Sequence, residues 1–159
     1  MKILQRVVRT TSFVMAFVMG VLFSVTIFAA EPVASVGDIA IGGHDTVAYH
    51  SLQKDPQAKA VSGDDSYVVE YKGAKWRFLD KASAKKFAAE PDRYSPAYNG
   101  HCANALSIGN GLLKTDGTHW EIFDNQLYLF FAARGRTRWT EGDWQSYKVD
   151  ADAAWQKLK

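Results

Sequence analysis

The sequence predicts a small α+β domain, with an antiparallel sheet of two hairpins, helices packed on one face and a C-terminal helix. Two pairs of β-branched or aromatic runs flank the two-residue turns Lys72-Gly73 and Asp124-Asn125, a hairpin pattern. An apolar stripe of helical period closes the chain. The 159 residues suit one domain, and a 13% aromatic content with five Trp can fill its core. A largely disordered chain is thereby excluded.

Residues 1–30 carry Lys2, Arg6 and Arg9, no acid, and an uncharged run from Ser12 to Ala30. A short basic region, an apolar stretch and Ala29-Ala30 before Glu31-Pro32 predict a secretory signal peptide. An uncleaved membrane anchor is the competing reading, because the run is nearly long enough to span a bilayer. Either reading places the folded part outside the cytoplasm, periplasmic or secreted. Without the leader, 16 of the 19 basic residues remain against 17 acids, a formal charge of −1. No basic footprint survives to engage nucleic acid, and a membrane contact is expected only through an uncleaved leader.

Residues 31–41 read as a linker, and the domain as 42–159. Gly42-Gly43 opens a turn into Thr46–His50, a first short strand, and Gln53–Asp65 reads as a polar surface loop. Ser66–Tyr71 and Ala74–Leu79 form the first hairpin, with Trp76 and Phe78 on one face and Lys75 and Arg77 on the other. Asp80 caps a helix from Lys81 to about Glu90, whose buried stripe is Ala84, Phe87 and Ala88 and which Pro91 stops. Pro91–Tyr94 starts a further turn. Gly100–Ser107 forms a short helix ending near Gly109. His119–Phe123 and Gln126–Phe131 make the second hairpin. Trp144, Tyr147, Ala151, Ala154, Trp155 and Leu158 supply the stripe of the last helix. No internal repeat or low-complexity segment is evident.

Cys102 is the single cysteine, so there is no intramolecular disulfide and no Cys-only zinc site. With His44, His50, His101 and His119 it forms the set of soft or borderline metal ligands beyond the leader, and thiolate with imidazole suits copper or zinc. His101 and Cys102 are adjacent and diverge on a helix, so a site would join Cys102 to a His from elsewhere. No short metal-ligand spacing occurs. Each residue also has a plain reading: Cys102 as a small buried apolar side chain, the histidines as loop or strand-edge hydrogen bonders. A third reading makes Cys102 a nucleophile near a helix N-terminus, with a His oriented by Asp45 or Asp116 as base.

Several strings together resemble the exported YHS domain-containing proteins of bacteria. They are Gly43–Tyr49, Tyr71–Phe78, Phe87 with Glu90–Tyr94, Ser95–Ala103 and Gln126–Leu129, closed by Trp139 and Ala151–Trp155. The match runs from about Gly42 to Trp155. YHS domains also occur in copper-transporting and heavy-metal-handling proteins, where cysteines after the Phe of the second strand are thought to bind metal. Here Leu79-Asp80 follow that Phe, Phe78. The cysteine of the exported branch is present as Cys102, while His44 and His101 stand where Tyr is usual and Thr46 where Pro is usual.

The resemblance implies a non-enzymatic metal-handling module through Cys102 alone. With copper as the expected ion, Cys102 is the expected anchor and His101, His44 or His119, read from the residues, are the expected co-ligands. Two other readings stand beside it. One is a thiol-dependent enzyme or redox protein using Cys102. The other is an interaction domain presenting Trp120, Tyr128 and Trp139 to a protein partner.

Overall fold

A computed structural model describes residues 32–55 and 57–158, so the expected leader lies outside the described residues. The fold is mixed α+β. Strands β1 (Ser35–Val36), β2 (Ile39–Ala40), β3 (Asp64–Tyr71) and β4 (Ala74–Phe78) form one sheet in the order β1-β2-β4-β3. Strands β5 (His119–Phe123) and β6 (Gln126–Phe130) form a separate two-stranded sheet. Both expected hairpins are therefore present, each in its own sheet. Their turns place both central residues at positive φ: Lys72 at 49° and Gly73 at 74°, Asp124 at 48° and Asn125 at 61°. That pair of conformations matches the right-handed twist of the flanking strands.

Two stretches depart from the sequence expectation. The expected linker is integral to the fold: Val33 and Ala34 are buried, β1 and β2 pair antiparallel, and β2 runs parallel to β4. Gly37, at φ 61°, permits the tight reversal between the two short strands. Asp38 and Lys75 then meet at 2.7 Å across the parallel pair. The lysine's hydrogen bond and charge hold the Asp38 carboxyl below the usual carboxylate range.

The expected strand at Thr46–His50 is instead a helix, α1 (Thr46–Leu52). The cause is Asp45. Its Oδ1 accepts N–H bonds from Val47 at 2.9 Å and Ala48 at 3.1 Å, which supplies an N-cap that overrides the β propensity of Thr-Val. Its Oδ2 accepts the N–H of Leu79 at 3.0 Å, just past β4. This fully buried carboxylate thus ties a helix start to the exit of a strand.

Helix α2 (Lys81–Ala89) forms where expected, with Asp80 accepting from the Ser83 N–H, and α3 (Pro91–Tyr94) follows. Of the expected stripe of α2 only Phe87 is buried, Ala84 being half-buried and Ala88 exposed, because this nine-residue helix meets the core along one narrow line. Helix α4 (Ala103–Ser107) is capped by Cys102, and α6 (Trp144–Gln156) buries Ala151 and Trp155. Helix α5 (Ala133–Glu141) has little sequence signature, since only Gly135 and Trp139 are buried among basic and polar residues.

The structure also shows an internal repeat that the sequence reading did not find. Each half has a 3-10 turn, a Gly-His pair, a capping residue, a short helix, a hairpin and a second helix. Gly43-His44-Asp45 before α1 corresponds to Gly100-His101-Cys102 before α4. The glycines sit at φ 79° and 83°, and each His Nδ1 lies 3.0–3.1 Å from the carbonyl three residues back. Tyr71–Leu79 corresponds to Phe123–Phe131. Phe87 packs on Tyr71, Trp76 and Phe78 as Trp139 packs on Phe123, Tyr128 and Phe130. Two hydrophobic clusters result, one around Phe87 and one around Trp139. Few identities connect the halves, because an aromatic core position accepts Phe, Tyr or Trp of similar shape.

Two outcomes follow from this packing. Replacing Asp45 by Ala strands three backbone N–H groups and should cost roughly 2–4 kcal/mol, read as a lowered urea midpoint. His50 concerns pH. Its Nε2 is buried without a hydrogen-bond partner and its ring meets Tyr94 edge-on at 5.3 Å. Burial first, then the Arg93 charge, pulls its pKa below the usual histidine value. The unfolded chain therefore binds the proton more readily, so this contribution is complete above the unfolded value of ~6.5 and is lost as pH falls through the lower folded value. Urea midpoints should drop on acidification through that window, and His50→Phe should shrink the drop. An undiminished drop would remove His50 from the account.

Candidate functional site

Cys102 stands at the N-cap of α4 and is 3% exposed. Its Sγ accepts the N–H of Ala105 at 3.4 Å, inside the helix, and that of Phe131 at 3.3 Å, just after β6. The Cys102 N–H in turn reaches the Leu113 carbonyl at 2.8 Å, so the segment after α4 is laced to the helix start.

Both bonds have a counterpart at Asp45: the N–H three residues on, inside the helix, and the N–H that follows the second strand of the hairpin. The Val47 N–H bond of Asp45 has none at Cys102. Where the first half spends two carboxylate oxygens, the second has one sulfur. Beside that sulfur lies a pocket of about 110 Å³, whose lining includes Asn104, Asn110, Leu113, Phe131 and Arg134. Arg134 is exposed, whereas Arg138 on the same helix is occupied by Asn104 Oδ1 at 3.0 Å and Ser107 Oγ at 3.1 Å.

The four residues expected as metal ligands are distributed differently. His101 is buried next to Cys102 in sequence, but its Nδ1 turns to the Tyr98 carbonyl at 3.0 Å and its ring lies 6.1 Å from that of Trp155. His44 belongs to the first half. Its Nδ1 lies 3.1 Å from the Ile41 carbonyl and 2.9 Å from that of Asp116, two acceptors, so this nitrogen is an N–H donor. Partial burial alone would raise the neighbouring Asp116 carboxyl, yet N–H and O–H bonds from Thr118 hold it below the usual range. His119 is half-buried on β5, opposite Phe130. Among the described residues, no three His, Cys, Asp or Glu side chains are grouped so as to hold a metal ion.

The aromatic residues expected at a partner surface are elsewhere. Trp120, Tyr128 and Trp139 are 4%, 2% and 0% exposed, so they serve the core and present nothing to a partner. Burial pushes the Tyr128 hydroxyl up to about 12. Asn104, Asn110 and Arg134 were not anticipated as neighbours of the thiol. The available signal was the Gly-His-Asp and Gly-His-Cys pair, which sets two caps in equivalent places.

Fold and site together define an α+β domain of two like halves, with a capping carboxylate in the first and a capping thiol beside a pocket in the second. Comparison of the chain with family models, curated proteins and solved structures finds no match.

The equivalence is testable at the cap. Cys102→Ala removes the acceptor from two N–H groups and should lower stability by about 1–2 kcal/mol. Cys102→Asp installs the side chain that serves the first half and should recover most of that loss. Urea unfolding of both variants measures it, and an Asp variant less stable than the Ala variant would break the correspondence.

Proposed function

We propose that this chain is an exported YHS-like module whose chemistry is carried by the Cys102 thiol, acting as a thiol-exchange or redox centre. The supporting observation is the sulfur's position: it takes the place of a carboxylate, accepts two backbone N–H bonds and borders a pocket with an exposed guanidinium. In exchange, the sulfur attacks one sulfur of a disulfide, the Cys102 S–S bond forms, and the other half leaves as a thiolate. Arg134 at the rim favours a disulfide that carries carboxylates. Glutathione disulfide and the cationic disulfide cystamine separate these contributions. Intact-mass analysis should show a mixed disulfide on the folded wild type and none on Cys102→Ser. Arg134→Glu should slow the glutathione reaction about tenfold relative to cystamine. A thiol inert to both reagents until the protein unfolds would overturn the proposal.

A second reading, soft-metal handling by Cys102 with histidine partners, draws on the ring orientations. A metal-ligating imidazole commonly donates its other nitrogen to a backbone carbonyl, and the Nδ1 atoms of His44 and His101 face such carbonyls. Copper is the ion that the ligand types favour. Titration with Cu(I) under a competing chelator decides it. Affinity tighter than about micromolar that Cys102→Ser abolishes supports this reading, and equal affinity in both proteins removes it.

A further inference from the structure

We infer that the face around the Cys102 pocket is a docking surface for a phospholipid bilayer. Exposed large apolar residues gather there. Phe131 is 59% exposed, Ile108 49%, Leu112 and Leu113 38% each, and Leu158 37%. Ile108 lines the Cys102 pocket and also a larger groove of about 680 Å³, walled by Leu106, Ala153, Ala154 and Leu158 of α4 and α6. The two depressions adjoin at Ile108, so exposed apolar side chains lie along both, interspersed with Asn104, Ser107 and Asn110. Clustered exposed apolar residues with polar neighbours are a mark of interaction surfaces.

The chain itself argues for the occupant. The uncharged run Ser12–Ala30 ends two residues before Pro32. From there the Ala34 N–H bonds the Asn99 carbonyl at 2.8 Å, and Lys114 Nζ reaches the Ser35 carbonyl at 3.2 Å. The described chain thus begins against Asn99, which immediately precedes the Gly-His-Cys stretch, and against Lys114, which immediately follows Leu112 and Leu113. If the run is retained as an anchor, it delivers this face, and not the β3 edge of the other sheet, to the membrane. Lys114, Arg134 and Lys157 are exposed around the apolar residues, with Asp150 the one acid in the groove wall. An apolar centre with a basic rim complements an anionic lipid surface. This inference concerns the surface and the leader, and it stands or falls independently of thiol chemistry.

The test uses the full-length chain in vesicles of phosphatidylcholine and phosphatidylglycerol at about 3:1. Single environment-sensitive fluorophores are placed by Ile108→Cys, Leu113→Cys and, as a control on the sheet edge, Val68→Cys, each in a Cys102→Ser background. Dye emission at Ile108 and Leu113 should shift to the blue. Quenching by lipid-borne nitroxide should be at least about twofold stronger there than at Val68. Equal quenching at all three positions would overturn the inference, as would recovery of the folded chain free of the vesicles.

Discussion

One fully buried carboxylate sets the frame of this protein. Asp45 starts α1 through two helix N–H groups and fixes the end of β4 through a third, so a local helix and a distant hairpin cannot move apart without stranding polar backbone. Phe78, which immediately precedes the bonded Leu79, is itself fully buried and packs on Phe87 at 4.9 Å. Cap, strand exit and aromatic core are therefore one constraint seen at three places.

The second half applies the same constraint with a different atom. Cys102 bonds α4 and the end of β6, and Phe130, immediately before the bonded Phe131, packs on Trp139 at 5.5 Å. A structural cap explains the bonds. It does not explain the pocket beside the sulfur or the exposed Arg134 on its rim, which α5 and the segment after α4 bring together. Those neighbours distinguish the thiol from the sealed Asp45 and carry its functional reading.

The fold class, both hairpins, the Asp80-capped helix and the last helix were legible in the sequence, since each rests on short-range pattern: turn chemistry, alternation, a cap, a stripe. Thr46–His50 misled because its β-branched start outweighed, on local propensity, an N-cap whose third bond comes from Leu79, far along the chain. The stretch 31–41 looked like a linker because two-residue strands have no periodicity, and their order comes from pairing with β4. The repeat was hidden for a related reason. Its identity lies in equivalent bonds and ring contacts, while the residues making them differ: Asp for Cys, Phe for Trp. Cys102 could be singled out from composition alone, but its neighbours Asn104, Asn110 and Arg134 converge only through tertiary packing.

The central claim is that the Cys102 sulfur, although held as a cap, faces a pocket that a small reagent can enter in the native state. Alkylation by iodoacetamide, followed by intact mass while backbone hydrogen exchange is monitored in parallel, tests it most directly. The account predicts a single adduct on Cys102 while the amides of β4 and β6 remain protected. An adduct that forms only at the rate at which those amides open would contradict it, and would leave Cys102 as a cap and nothing more.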